Sequence, residues 1–385
     1  MLTFFASGTF FYGFSTFFKP IVDEFGWSYT ATSTAFAIYR LEGGVAAPIV
    51  GYIVDRVGPG KMMAFGSAVF GLGFLAMSRA DSLLTFYATM ILISAGFSAA
   101  AGTVGMAAVA NWFVRKRGLA LGILMTGAGI GGVLAPVLVR LISLYGWRTT
   151  LVILAFSSWF FCLPLSLLVR HRPRDYGYLP DGDTVVGEGK RNDVLAEDLE
   201  LTKVNTAPEV SFTLGQALRT RSFWIFTLGI TFLGVPITGV SVHLIPYLIN
   251  LGFPPETAAL ALTAVTLTSV AGRMGFGWLG DRFDKRSALV IIGVVQSLGL
   301  LAAAFIGSYW MVALFVLFYA PAYGGGIPLR PALTAEYFGT KAFGAIQGVL
   351  MAIFTFGSML GPILGGWMFD TRGSYRLAFL IFAIL

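Results

Sequence analysis

Long runs of apolar residues, each close to the roughly 20 residues that a membrane-crossing helix needs, follow one another along the chain. Charged and turn-forming residues separate them. The first six predicted spans cover residues 1–24, 30–54, 62–79, 83–112, 118–142 and 148–169. Six more cover residues 222–250, 255–280, 287–307, 309–335, 342–368 and 374–385. The pattern predicts an all-α membrane protein with twelve transmembrane helices, numbered here as spans one to twelve.

The two sets of six spans are related by an internal repeat. Similar residues recur at an offset of about 226 positions: Pro20 and Pro246, Gly26 and Gly252, Gly51 and Gly277, and the Asp-Arg pairs at 55–56 and 281–282. Because each repeat holds an even number of helices, the halves are parallel, and proteins built this way carry a substrate site near mid-membrane between them. We therefore predict two pseudo-symmetric six-helix bundles, residues 1–170 and 222–385.

Residues 171–221 are polar and form the predicted linker between the bundles, with one short helix near Val194–Leu201. Lys and Arg residues cluster in the loops on the same side as this linker, so we expect the linker and both termini to be cytoplasmic, in the inner (plasma) membrane. We also expect the protein to function as a monomer.

The composition agrees with a lipid environment, since 56% of the residues are hydrophobic, 12% are charged and the mean hydropathy is +0.79. The net charge of +7 comes from short loops, which indicates membrane orientation and not nucleic-acid binding. The single cysteine, Cys162, and two histidines show no metal-ligand spacing, so we expect no metal and no cofactor.

Arg273 is the most informative charge, because it lies eight residues before Asp281 and hence about 12 Å inside the bilayer end of span eight. An arginine at that depth costs about 2.5 kcal/mol or more unless it faces a cavity or a partner. Its repeat counterpart is Ala47, so the scaffold does not require it. Its guanidinium suits a carboxylate ligand. A structural ion pair, or a side chain reaching the interface, is the alternative.

His243 is the only histidine inside a span, and its repeat counterpart is Phe17. It titrates near neutrality, which makes it the first candidate for proton coupling; a neutral histidine bonded within the bundle is the alternative. Glu42 is the second candidate, beside Arg40, which should point to a different face of span two. Arg330 is expected to be a gating or packing charge.

Aromatic residues are expected to line the substrate path. Four tyrosines on spans one, seven and ten are candidates, and each has a packing or membrane-interface role as its alternative: Tyr12, Tyr247, Tyr319 and Tyr323. Gly127, Gly129 and Gly132 fit a nucleotide-binding spacing, but they lie in an apolar helix, where glycines allow close helix packing.

The loop after span two reads Gly51-Tyr-Ile-Val-Asp55-Arg56-Val-Gly58-Pro-Gly60-Lys61, and a weaker copy follows span eight. This motif resembles the major facilitator superfamily, and the copy lacks the glycine after its Asp-Arg. The resemblance implies a conformational role for five residues: Gly51, Asp55, Arg56, Asp281 and Arg282.

Within that superfamily, the segments 14–20 and 331–338 and the arginine of span eight resemble the monocarboxylate transporter family. The resemblance implies that Arg273 engages a substrate carboxylate. Animal members carry an aspartate and a lysine where this chain has Ser269 and Tyr12, so their proton handling does not transfer. Residues 342–368 hold no Lys or Arg, unlike the related oxalate-formate antiporters, which favours a monoanion.

The leading hypothesis is therefore a secondary active transporter that moves a small monocarboxylate such as lactate with a proton by alternating access. The alternative is exchange of organic anions, of the oxalate-formate type, without protons. The sequence shows no intramembrane catalytic constellation and no ATP-binding loop, so we do not expect an enzyme or a pump.

Overall fold

The computed structural model describes residues 1–113, 117–170, 212–339 and 342–385. In the described part of the first half, nine α-helices are interrupted by short π- and 3₁₀-helical turns. They are Leu2–Ala6, Phe14–Phe25, Tyr29–Val57, Pro59–Met77, Leu83–Ala100, Gly102–Trp112, Arg117–Gly129, Ala135–Ser157 and Leu163–Leu167. The turns cover Ser7–Phe11, Ile130–Leu134 and Ser158–Cys162.

The second half has longer helices. After the short helix Leu214–Leu218 come Arg221–Asn250, Pro255–Arg282, Lys285–Ala304, Tyr309–Phe338, Phe343–Ser358, Leu360–Arg372 and Arg376–Ile384. The predicted helix near Val194–Leu201 lies outside the described residues. The short helix observed instead begins with a capping box between Thr213 and Gln216, and it packs against the second half.

Within the described residues, eight helical stretches are long and apolar enough to cross a membrane. These eight stretches correspond to the nine predicted spans three to eleven, since the stretch Ala120–Leu167 contains both span five and span six. Span one is interrupted by the turn Ser7–Phe11, span two carries Arg40 and Glu42 in its middle, and the helix of span twelve is short. Each of these three still forms a helix at its predicted place.

Glycines at matched positions end matched helices in the two halves. Gly26 and Gly252, after spans one and seven, have φ angles of 63° and 90°. Gly146 and Gly373, between spans five and six and between spans eleven and twelve, have φ angles of 78° and 64°. Only glycine adopts such angles without strain, so the repeat seen in the sequence fixes where the chain turns in both halves.

Among the described residues, the most extensive contacts between the halves join spans one and seven, two and eleven, and five and eight. Glycines allow the close approach. A Cβ atom on Gly366 would lie 2.7 Å from the backbone of Tyr29, and one on Gly132 would overlap with the Thr266 side chain. We call the end of the bundle that carries residues 56–61 and 282–286 the linker side, and the opposite end the far side.

On the far side, one carboxylate joins three spans of the first half. Glu24 accepts hydrogen bonds from Trp147 Nε1 at 2.6 Å and from Arg148 Nη2 at 2.8 Å. Arg148 also donates to the carbonyl oxygens of Ser78 and Ala80, at 2.8 and 3.0 Å. The ends of spans one, three and six are thereby held together.

Replacing Glu24 with Ala should therefore destabilise the first half by about 1 to 2 kcal/mol, because bonds to a charged acceptor are lost at a partly exposed site. The apparent melting temperature in detergent measures this. Asp23→Ala is the matched control. It removes an exposed pair with Lys19 within one helix, for which about 0.5 kcal/mol or less is expected. Equal shifts for the two variants would contradict the prediction.

Candidate anion site between the two halves

A hydrogen bond between two tyrosines joins the halves at mid-depth. The hydroxyls of Tyr12 and Tyr323 are 2.9 Å apart, and the side chains are 3% and 8% exposed. At 1.5 Å per residue, each lies about 20 Å from the far-side end of its helix. Tyr12 directly follows the π-helical turn Ser7–Phe11, a distortion that often marks functional sites. The bond places both phenols at the interface where the repeat predicts a substrate site.

Arg273 reaches across the interface from span eight to span five. Its Nη1 donates to the carbonyl oxygen of Met125 at 3.0 Å. Its guanidinium lies against Gly129, where an added Cβ atom would overlap with Nη1 and Nη2. Its Nε is buried without a hydrogen-bond partner, and its charge interacts with Tyr12. The guanidinium therefore lies between spans five and eight, near Tyr12, and its Nε remains available as a donor.

Arg330 extends from span ten toward the same tyrosine pair. Its side chain is 7% exposed and runs back along its own helix, with Nη2 3.5 Å from the Cβ position of Gly326. Its Cζ lies 4.5 Å from the ring centre of Phe354, and its Nε has no hydrogen-bond partner. Its charge interacts with Tyr323 and with Arg40.

Arg40 approaches from span two in the other half. Its Cζ lies 5.7 Å from the ring centre of Phe11, the neighbour of Tyr12, and its Nε is buried without a partner. It interacts with Tyr323, and no described ion pair involves it. Glu42 is close to Ser94 and is not paired with Arg40, which agrees with the different helix faces predicted for them.

The other two candidate tyrosines occupy different positions. Tyr319 stacks on Tyr323, with ring centres 6.2 Å apart, so it lies beside the tyrosine pair. Tyr247 donates to the carbonyl oxygen of Ala303 at 2.5 Å and packs on Phe379. Tyr247 therefore lies inside the second half, away from the Tyr12–Tyr323 pair.

His243 lies farther toward the far side, in a second contact between the halves. Its Nε2 is 2.8 Å from the Pro362 carbonyl oxygen and 3.1 Å from Ser33 Oγ, and its Nδ1 is 2.9 Å from the Tyr375 hydroxyl. A carbonyl oxygen only accepts, so Nε2 carries a proton in this arrangement and Nδ1 accepts from Tyr375 when the ring is neutral. The ring is 1% exposed.

The same contact continues to the ends of the helices. Asp370 of span eleven accepts hydrogen bonds from the backbone N–H groups of Tyr29 and Thr30, both at 2.8 Å. Asn250 Nδ2 donates to the Tyr29 hydroxyl at 3.2 Å. We call this group the far-side seam; its residues are Tyr29, Thr30, Ser33, His243, Asn250, Pro362, Asp370 and Tyr375.

Comparison with known proteins decides the family. The model of the Major Facilitator Superfamily matches residues 1–254 and 230–385, which together cover the whole chain. The chain belongs to the Major Facilitator Superfamily. Proteins of this superfamily are transporters and not enzymes, in agreement with the sequence analysis.

Two curated relatives have similar sequences. Monocarboxylate transporter 12 of Mus musculus is 27% identical over 383 residues, covering 95% of this chain and 77% of that protein. The oxalate:formate antiporter of Oxalobacter formigenes is 24% identical over 380 residues, covering 97% of this chain and 84% of that protein. The chain is thus a superfamily transporter related to both groups.

Two solved structures share the fold. The nucleoside transporter NupG aligns with a TM-score of 0.75 and 12% identity, over 99% of this chain and 94% of that one. A bacterial homologue of the human lysosomal transporter Spinster, inward-facing and unoccupied, aligns with a TM-score of 0.70 and 18% identity. The alignment covers 96% of this chain and 81% of that one. These alignments agree with the predicted fold of two parallel six-helix bundles.

The superfamily loop motif has the same cation–π contact in both copies. Arg56 Cζ lies 4.3 Å from the ring centre of Tyr52, and Arg282 Cζ lies 4.6 Å from that of Trp278. The side chains of Gly51, Asp55 and Asp281 lie outside what the structure describes, as do the basic residues at 115, 116 and 341. Within the described residues, no group of three or more possible metal ligands occurs.

Two features of the site were missed by sequence reasoning. The spacing around Gly129 indicates only general helix packing, whereas this glycine is the surface on which the Arg273 guanidinium lies. Asp370 and Tyr375, which complete the far-side seam, flank a loop, where polar residues are expected. No pattern in a single sequence indicates that their partners are in the other half.

Gly129→Ala should displace the Arg273 guanidinium and lower anion affinity about tenfold or more, since misplacing one charge-assisted bidentate contact costs at least about 1.4 kcal/mol. The binding isotherm of a labelled short carboxylic acid measures this. Gly122→Ala, on the same helix with nothing within 4 Å of the added Cβ, is the matched control and should bind normally. Unchanged affinity in a folded Gly129→Ala protein would refute the contact.

Proposed function

We propose that the protein is a secondary carrier of small organic acid anions, lactate-like monocarboxylates first among them, and that Arg273 binds their carboxylate. The observation that carries this proposal is the unpartnered Nε of Arg273 beside the Tyr12–Tyr323 pair, between the halves. The fork of a guanidinium matches a carboxylate, and Tyr12 and Tyr323 offer hydroxyl donors to the same anion. The names of the two curated relatives support an anionic substrate.

Transport by alternating access is part of the same proposal. The far-side seam joins the halves at one end of the bundle, and of the hydrogen bonds between halves in the described residues, that from Arg273 to Met125 lies closest to the linker side. Rocking of one half against the other would exchange this seam for contacts at the linker side. With the linker cytoplasmic in the plasma membrane, the far-side seam would join the halves on the outer side of the membrane. A monomer suffices for this motion.

Proton coupling through His243 is proposed as the driving force. The ring sits in the seam that must separate for the outer side to open, so it would meet water only in that state. Protonation of Nδ1 would require the Tyr375 hydroxyl to turn and accept, which links the charge of the ring to the packing of the seam. Glu42, whose Oε2 has no partner, is the second candidate.

Exchange of anions without protons is the second candidate function, and the similarity to the oxalate:formate antiporter favours it. The two functions differ in proteoliposomes. Symport gives uphill accumulation when an inward proton gradient is imposed, whereas exchange requires an anion on the opposite side and ignores the gradient.

Arg273→Lys should lower affinity for a short monocarboxylate about 30-fold or more, because a point charge does not reproduce the bidentate geometry and about 2 kcal/mol or more is lost. Arg273→Gln should bind no better. Binding is measured by equilibrium dialysis on protein that elutes as a single species. Arg79→Lys, at an exposed position on the far side at the end of span three, serves as the control and should bind normally. Near-normal binding by Arg273→Gln would exclude this residue as the anchor.

His243→Gln keeps a polar side chain and removes the titration. We expect loss of accumulation driven by an inward proton gradient, while exchange between equal anion concentrations persists. Uptake of labelled acid into proteoliposomes with and without a pH gradient gives both rates. Accumulation with unchanged pH dependence would assign the proton to another group, with Glu42→Gln as the next variant to measure.

A further inference from the structure

We propose that Arg40 and Arg330 form a second anion subsite next to Arg273, shared by the two halves, and that the preferred substrate carries a second acidic group. The inference rests on the proposed function, a carrier of small organic acid anions, and extends its substrate class from monocarboxylates to short dicarboxylates. It also reverses two expectations from the sequence: that Arg330 is a gating or packing charge, and that the lack of a lysine in span eleven favours a monoanion.

No described ion pair involves the three arginines of this site. Arg40, Arg273 and Arg330 all have a buried Nε without a hydrogen-bond partner. The described ion pairs, Lys19–Asp23, Arg148–Glu24 and Lys285–Glu336, all lie near helix ends and involve none of the three. A buried charge without a partner is costly and is retained where a ligand supplies the opposite charge.

The three arginine side chains converge on the Tyr12–Tyr323 pair. The Arg330 side chain runs back over Gly326, one turn along its helix, and Tyr323 lies about two turns back on the same face. Arg40 approaches the same tyrosine from the other half, over the ring of Phe11. Arg273 is next to Tyr12, which is bonded to Tyr323. The three guanidinium groups therefore all lie near one tyrosine pair.

Arg40 and Arg330 carry like charges and approach the Tyr12–Tyr323 pair from opposite halves, Arg40 over the ring of Phe11 and Arg330 back along span ten. A monocarboxylate on Arg273 would leave both charges uncompensated, whereas a dianion would place its second carboxylate between them. Phe11 and Phe354 offer only the weak attraction of an aromatic face to a cation, which does not remove the charge.

The test compares acids of matched carbon chain at a pH where all carboxyl groups are ionised: malonate with propionate, and succinate with butyrate. Binding to the purified wild-type protein in detergent is measured by competition with a labelled acid. We expect at least one dianion to bind about tenfold or more tightly than its monoanionic partner, the effect of one added charge-assisted contact. The better chain length reports the distance between the subsites.

Arg40→Gln and Arg330→Gln should each reduce the affinity for that dianion to about the level of the monoanion, and should change monoanion affinity by less than about threefold. Arg273→Gln should weaken both classes. Arg376→Gln is the matched control, because Arg376 also lies over an aromatic ring, at 4.4 Å from Phe305, but at the far side of span twelve. Arg376→Gln should change the affinity for neither the dianion nor the monoanion.

Equal loss of both classes in Arg40→Gln and Arg330→Gln would make these arginines structural and overturn the proposal. Equally tight binding of propionate, butyrate and the diacids by the wild-type protein would also overturn the proposal. This result needs no variant, so the proposal can be tested even if a variant fails to fold. If the wild type binds no carboxylate of either class, the proposed function fails as well, and the two failures are distinguishable.

Discussion

Positive charge inside an apolar interface is the constraint on which the rest of this structure depends. Three guanidinium groups lie between the halves, each with a buried Nε that makes no hydrogen bond, and none belongs to a described ion pair. In a medium of low polarity such charges are tolerated only where donors, aromatic faces and a ligand share them. Part of the stabilisation comes from the Met125 carbonyl, the rings of Phe11 and Phe354 and the hydroxyls of the tyrosine pair.

Small residues create the room for those charges. Gly129 leaves space for the Arg273 guanidinium, and Gly326 lets the Arg330 side chain lie along its own helix. Other glycines bring helices together at the contacts between halves, as Gly132 does beside Thr266 and Gly366 beside Tyr29. The glycines thus serve two needs of a carrier: close packing at the contacts and space for large polar groups in the path.

Much of the fold could be predicted from hydropathy and the repeat, because both record physical requirements that act locally. Gly26 and Gly252 had to be glycines to turn the chain, and the span boundaries nearby were predicted within a few residues. The breaks inside spans were not predicted. The turn Ser7–Phe11 and the breaks at Ala101 and Met359 lie in apolar sequence, where the glycine or proline residues nearby are also common inside transmembrane helices.

Two features of the sequence were enough to single out Arg273: its depth within span eight and the uncharged residue at the matching position of the repeat. The free-energy cost of an arginine in lipid depends on that residue alone, so it can be inferred without knowing the fold. Arg40 and Arg330 were noticed but not connected, because the argument that joins them depends on tertiary contacts across 290 positions of sequence. His243 and Tyr247 show the opposite limit. Both were expected beside the substrate path. In the fold, His243 lies in a contact between the halves, whereas Tyr247 lies in the interior of the second half.

The first turn of span two is capped twice, once by each half. Ser28 Oγ, on its own chain segment, accepts from the N–H of Ala31 at 3.1 Å, while Asp370 of the other half accepts from the N–H groups of Tyr29 and Thr30. In the alternating access proposed above, separation of the halves at this end would leave the internal cap in place, and water would replace the carboxylate on the two donors. The helix would then need no refolding, and its backbone groups would stay bonded in both conformations. The free energies of two such conformations would lie within the few kcal/mol that binding of a small ligand is able to shift.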